Sequence, residues 1–204
     1  VSITGNDDTE NSLSSDTLTF TAANWNTAQT VTITGVDDTL FDGDITTTLT
    51  ATANSAGGYS GESTTTTVKN TDDDTNGISI AQTGTTDGSG NLLTTEAGST
   101  STFTVVLDAA PTADITVSIT GLDATENSLS GSTLSGTNTL TFTTANWNTA
   151  QTVTITGVDD TLLDGHITTT LTATANNAGG YSGESTTTTV KNTDDDTNGI
   201  SIAQ

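Results

Sequence analysis

Apolar side chains along this chain recur in period two. Phe103, Val105 and Leu107 alternate with Thr102, Thr104 and Val106, and Val117 and Ile119 alternate with Ser118 and Thr120. Val153 and Ile155 sit between Thr152, Thr154 and Thr156. The longest run sets Ile167, Thr169, Leu171, Ala173 and Ala175 on one side and Thr168, Thr170, Thr172 and Thr174 on the other. Successive side chains of a strand point to opposite faces, so each run predicts one buried and one wet face. Asp, Asn, Gly and Ser clusters separate the runs and supply turn chemistry. No segment keeps a 3.6-residue period. The pattern predicts an all-β fold.

The same pattern occurs twice. Phe20 to Gln82 realigns on Phe142 to Gln204 at an offset of 122, with four differences over 63 positions: Ala22/Thr144, Phe41/Leu163, Asp44/His166 and Ser55/Asn177. Upstream, VSITGNDDTENSLS at 1–14 matches VSITGLDATENSLS at 117–130 at an offset of 116, the six-residue difference lying within SGSTLSGTN. This organises the chain as 1–77, the back two-thirds of one repeat; 78–199, a complete repeat; and 200–204, the start of another. With no initiator Met and no signal segment, the chain is expected to be a window on a longer array. Solenoid coils and propeller blades repeat every ~20–50 residues, whereas ~100 residues is the size of a β-sandwich. The expected architecture is a tandem of antiparallel β-sandwich modules.

Charge narrows the function. The 204 residues hold 20 Asp and 5 Glu against two Lys and no Arg, a formal net charge of -23. A duplex nucleic acid binder needs cations to replace counterions, and anionic membrane surfaces demand the same; neither partner is expected. No apolar run approaches the ~20 residues of a spanning helix. Without Cys there is no disulfide scaffold and no Cys-type zinc site. One His and two Lys are the whole stock of near-neutral acid–base groups, so an enzyme is not expected. Hydrophobic content is 30%, near the disorder signature. Thr, at 55 residues, is a strand former, and the ordered alternation favours folding.

The acids gather in loops rather than along strands. In the complete repeat they fall at Glu96, at Asp123, at Asp159, Asp160 and Asp164, and at Asp194, Asp195 and Asp196. The first copy has Asp7, then Asp37, Asp38 and Asp42, then Asp72, Asp73 and Asp74. Two carboxylates 4 Å apart repel by about 1 kcal/mol in water and about 4 kcal/mol at an effective dielectric of 20. Three consecutive Asp in a structured loop therefore call for a cation. Oxygen-only ligands select a hard ion, and flexible loops suit the 6–8 ligands of Ca²⁺ better than the tight octahedron of Mg²⁺. Asp72-x-Asp74-x-Asn76-Gly77 begins like an EF-hand loop, but its twelfth position is Thr83 instead of Glu. The GGxGxD nonapeptide is also absent.

The ensemble resembles the Calx-β family. It comprises Glu96-Ala97-Gly98, the strand TLTFTTANWNTAQTVTITGVDD, Asp164, and a last strand running into Asp194–Asp196. The resemblance covers 78–199 and the back of the first copy. It implies an Ig-like or Calx-β-like sandwich of seven strands with calcium at one end, near the junction to the next module. The ligands it implies are Glu96, Asp123, Asp160, Asp164 and Asp194 to Asp196, with Asp159 adjacent. Two elements depart from the family: LDATENSLSGSTLSGTN replaces a DGTA-x-x-G-x-DY loop, and NWNTAQ stands where a GE turn precedes the TVTIT strand. Members with this Thr- and Asp-rich composition look like repeat regions of large bacterial surface and secreted proteins.

The first functional expectation is therefore a structural repeat of an extracellular adhesin, filament or surface layer. Calcium would rigidify it, and neighbouring copies of the repeat would be its head-to-tail partners. Calcium-dependent binding of a cell-surface glycan, or ice binding by a flat Thr face, is the alternative. Trp25 and Trp147 are expected in packing, Tyr59 and Tyr181 as turn anchors, and Lys69 and Lys191 as partners of the Asp runs. The Thr runs 64–67 and 186–189 are expected as strands with an exposed Thr face. His166 replaces Asp44 at one repeat position and is not expected to be an essential ligand.

Overall fold

A computed structural model describes residues 1–200; 201–204, and with them most of the further repeat start expected at 200–204, lie outside the described residues. The chain divides into two compact units, Val1–Asp74 and Thr75–Gln204. Among the described residues it is all-β: fourteen strands and one short 3-10 turn, Ala56–Gly58.

The first unit holds β1 (Ser2–Thr4), β2 (Asn11–Leu13), β3 (Ile33–Gly35), β4 (Ile45–Thr52) and β5 (Ser63–Asn70). They form a three-stranded sheet in the order β1-β4-β5 and a β2-β3 pair. Nothing in this unit corresponds to the sequence 78–116, and Leu49 is its only apolar side chain that is fully buried.

The second unit holds β6 (Ile78–Gln82), β7 (Leu92–Thr95), β8 (Thr100–Leu107), β9 (Ile115–Thr120), β10 (Asn127–Ser130), β11 (Thr139–Phe142), β12 (Gln151–Gly157), β13 (Ile167–Ala175) and β14 (Ser185–Thr193). A four-stranded sheet, β10-β12-β8-β6, faces a five-stranded one, β11-β9-β13-β14-β7. Phe103, Val105, Val153 and Ile155 of the first sheet share one core with Val117, Phe142, Leu171 and Val190 of the second. Two sheets closing on a single core make a β-sandwich-like arrangement.

Two expectations change here. Nine strands replace seven, and every connection except that between β13 and β14 carries the chain from one sheet to the other. Asp87 shapes the first switch by accepting hydrogen bonds from the Ser89 and Asn91 backbone N–H groups, both at 2.9 Å. That switch also makes the β7–β14 pair parallel, within an otherwise antiparallel set.

The alternating runs behave as their period demands. Phe103, Val105, Val117, Val153, Ile155 and Leu171 are fully buried, while Ile167 and Thr169, at the start of β13, are only half-buried. Both Thr runs are strands. Thr64 to Thr67 are exposed, but Thr188 is buried and accepts from the Gln82 Nε2 at 3.1 Å. Thr188 lies two residues before Val190 on the core-facing side of β14, so the alternation itself turns it inward.

Candidate metal centre

Strand register carries four acidic segments to one end of the second unit. Thr193, the last residue of β14, lies beside Thr95, the last of β7, so Asp194–Asp196 and Glu96 emerge together. Asn127, the first residue of β10, opposes Gly157, the last of β12, so Glu126 and Asp159–Asp160 also emerge together. Between these pairs the sheets touch. The Thr94 Oγ1 donates to the Asn192 Oδ1 at 2.9 Å and is 3.0 Å from the Asn127 Oδ1. A side chain at position 157 would collide with the Thr95 carbonyl, so only glycine permits this approach.

Three trios, two of them sharing Glu96, each have carboxylate oxygens within 4.8 Å of one another: Glu96–Asp159–Asp195, Glu96–Asp194–Asp196 and Glu126–Asp160–Asp164. Glu96 and Glu126 are 2% and 4% exposed. The Asp195 N–H donates to the Glu96 Oε2 at 3.2 Å, and the Asn192 Nδ2 donates to the Glu126 Oε2 at 3.3 Å. The Asp196 Oδ2 is buried and has no hydrogen-bond partner. Burial first, and then neighbouring carboxylates, raise Glu96, Glu126 and Asp196 above their ordinary pKa values. Carboxylate oxygens crowded around two buried Glu, with one oxygen left unpaired, could hold a metal ion.

Backbone donors shape the loops. The Asp160 Oδ1 accepts from the Leu162 N–H at 2.6 Å, and the Asp194 Oδ1 accepts from the Asp196 N–H at 2.8 Å. The Gly165 N–H donates to the Asp194 Oδ2 at 2.7 Å, and the Asp194 N–H donates to the His166 Nδ1 at 3.1 Å. His166 thus serves Asp194 as an acceptor. The first unit keeps the same exchange with Asp at that position: Gly43 N–H to Asp72 Oδ2 at 2.7 Å, and Asp72 N–H to Asp44 Oδ1 at 3.1 Å.

The first unit repeats one trio, Glu10–Asp38–Asp42. Its concave pocket of about 280 Å³ is lined by these three and by Asp37, Asp72, Asp73 and Asp74. Asn70 stands where Asn192 does, its Nδ2 donating to the Glu10 Oε2 at 3.2 Å. Burial and the surrounding carboxylates raise Asp74 above its ordinary pKa.

Asp7 and Asp123 lie outside these groups. Both are exposed, and each turns its Oδ1 onto a neighbouring threonine, accepting from its N–H and its Oγ1: Thr9 at 3.1 and 2.7 Å, Thr125 at 3.1 and 2.6 Å. Those bonds hold both carboxyls below their ordinary pKa. Lys69 pairs with Asp44 rather than with the Asp run. The chain's reading as loops of Asp missed Glu10 and Glu126. The signal was present: TENSLS recurs unchanged at 9–14 and 125–130, directly after a stretch in which Asn6/Leu122 and Asp8/Ala124 differ. Glu126 lies one residue ahead of a strand, so its side chain enters the interior end of the sandwich rather than the loop.

No protein-family model matches the chain, and no curated protein matches it.

Proposed function

We propose that this chain is a structural repeat of an extracellular adhesin, filament or surface-layer protein, stiffened by Ca²⁺ held in its acidic loops. The observation that carries the reading is the convergence of buried Glu96 and Glu126 with six Asp at one end of a sandwich-like unit. The residues that would hold the ions are Glu96, Glu126, Asp159, Asp160, Asp164 and Asp194–Asp196, and in the first unit Glu10, Asp38 and Asp42. Bound Ca²⁺ supplies positive charge that lets these loops pack instead of repelling. The likeness to the Calx-β family, in the tandem of Ig-like modules and in the ligand set, belongs to the same proposal.

In sequence, Asp72–Asp74 end the first unit and Thr75 opens the second. Ions held in such a run would set the stiffness of a joint between repeats, the property a long extended surface protein needs. Modules of that kind bind Ca²⁺ at roughly 10⁻⁴–10⁻³ M, near extracellular concentrations. Isothermal titration of the ion-free chain with CaCl₂ tests this. Saturable binding in that range, with Mg²⁺ much weaker, supports the reading; heats no larger than those of dilution reject it.

A second reading rests on the outer face of the five-stranded sheet. There Thr170 opposes Thr189, Thr172 opposes Thr187 and Thr174 opposes Ser185, a ladder of hydroxyls. Such a face suits a glycan or ice surface. Thermal-hysteresis and glycan-array assays separate this reading from the first.

A further inference from the structure

Two strongly exposed apolar side chains stand next to each other at the acidic end of the second unit. Leu162 is 63% and Leu163 51% exposed, in the loop 158–166 between β12 and β13. The second unit is closed around its own core, so this exposure is a property of the loop and not of an open sandwich. At the same place in the first unit are Leu40, half-buried, and Phe41, 38% exposed. Phe41/Leu163 is one of the four differences between the copies over 63 positions, yet both residues are large and apolar.

The turn that presents the pair is built from acidic side chains of the candidate metal centre. The Leu162 N–H donates to the Asp160 Oδ1 at 2.6 Å, and the Asp164 N–H donates to the Leu162 carbonyl at 3.0 Å. In the first unit the Leu40 N–H donates to the Asp38 Oδ1 at 2.7 Å. Each apolar pair thus lies between two members of one carboxylate trio, Glu126–Asp160–Asp164 or Glu10–Asp38–Asp42. Scattered exposed leucines are ordinary on a protein surface. A pair fixed between two carboxylates of one trio, in both copies, is a patterned feature.

Coordination arithmetic leaves room there for an outside ligand. Three carboxylates offer six oxygens at most, and two of these, the Glu126 Oε2 and the Asp160 Oδ1, already accept protein hydrogen bonds. Ca²⁺ takes 6–8 oxygens. Glu126 is buried while Asp164, the residue after Leu163, is exposed, so the shell closes on the inside and stays open beside the leucines. Free of ions, a chain with 25 acids and two Lys is repelled by an anionic surface. Loaded, its tip pairs a cation having open positions with two apolar side chains. That combination matches anionic headgroups lying over an acyl layer, where binding grows with buried apolar area and with charge attraction.

We propose that the loop tips 160–164 and 38–42 dock the ion-loaded chain on a lipid surface rich in anionic headgroups. This rests on the calcium reading above. The ion bridges the trio to headgroup oxygens, and Leu162 and Leu163, or Leu40 and Phe41, rest in the headgroup layer. The docking is peripheral and involves no span.

The test is sedimentation of the full chain with phosphatidylcholine vesicles, with and without phosphatidylserine, in millimolar Ca²⁺ and after chelation. Saturable sedimentation is expected only with phosphatidylserine and Ca²⁺ together. A chain carrying Leu40→Ser, Phe41→Ser, Leu162→Ser and Leu163→Ser should bind these vesicles roughly tenfold or more weakly. Titration with CaCl₂ should give that variant the parent's affinity, because none of the four residues supplies a carboxylate. Parent protein that takes up Ca²⁺ in titration but stays in the supernatant overturns the proposal and leaves the calcium reading standing; no uptake of Ca²⁺ ends both. Equal sedimentation of the variant overturns it, because charge alone would then suffice. Sedimentation in Ca²⁺ without vesicles also overturns it, the occupant of the tips then being a second copy of the chain.

Discussion

The Asp195 backbone N–H donates to the Glu96 Oε2 at 3.2 Å, joining the tail of the last strand of the second unit to a turn 99 residues earlier. Glu96 belongs to two of the three carboxylate trios in that unit, so its charge bears on both. Glu96→Gln keeps the shape and the acceptor but removes the charge. Calcium affinity depends on ligand charge, so the variant should bind Ca²⁺ roughly tenfold or more weakly. Free of ions it should be at least as stable as the parent, since a buried charge has gone. Titration and melting curves with and without Ca²⁺ check the pair of outcomes. A variant with unaltered affinity removes Glu96 from the site.

Asn192 is fully buried and reaches both Thr94 and Glu126. Groups that orient metal ligands typically carry 10–100-fold in affinity. Asn192→Ala should weaken Ca²⁺ binding by about that factor, and titration measures it. An effect confined to the ion-free melting temperature, with affinity intact, would make Asn192 a packing residue only.

The acids also predict a pH dependence of unusual sign. Glu96, Glu126, Asp74 and Asp196 are raised by burial, so in the absence of ions the folded state holds their protons more tightly than the unfolded state. Stability should therefore rise as pH falls from 7 toward their ordinary values near about 4. Asp7 and Asp123 are lowered by their threonine bonds. Their contribution is present above the ordinary value and is lost as pH falls below it. Ion-free protein should thus melt higher at pH 5 than at pH 7, and calcium-loaded protein lower, because protons displace the ion. Melting temperatures at the two pH values, with and without Ca²⁺, test both signs.

The duplicated sequence allows a stability prediction with an internal control. Phe142→Ala empties a fully buried position and should cost about 3–5 kcal/mol. Phe20→Ala, at the same repeat position but 41% exposed, should cost well under half of that. Likewise Tyr181→Phe leaves the buried Ala109 carbonyl without its donor and should cost about 1–3 kcal/mol, whereas Tyr59→Phe should be near neutral. Chemical denaturation of the four variants measures this. Equal costs within a pair would mean that the two copies are equally packed.

Much of this was legible in the residues. The period-two runs identified Phe103, Val105, Val153 and Ile155 as core because alternation follows directly from strand geometry. The self-match placed a repeat boundary at 77/78, three residues beyond the unit boundary at Asp74. The sheet switches were not legible: Asp87 and Asn91 look like any polar turn until their hydrogen bonds redirect the chain to the second sheet. At the acidic end, local runs such as Asp194–Asp196 stood out, while Glu126 needed the β10–β12 register to bring it beside Asp160 and Asp164. Trp25 and Trp147, identical in context, differ in exposure because the 78–116 strands cover only the second.

The central claim is that Ca²⁺ holds the acidic ends of these units, and thermal unfolding of the whole chain tests it most directly. Melts are compared in millimolar Ca²⁺, in the same concentration of Mg²⁺, and after chelation. Ligand linkage stabilises by about 2.7 kcal/mol per site at a 100-fold excess over Kd. The account predicts a melting temperature several degrees higher in Ca²⁺ than after chelation, with Mg²⁺ close to the chelated value. Identical melts in all three conditions would contradict it and leave the carboxylates as surface charge.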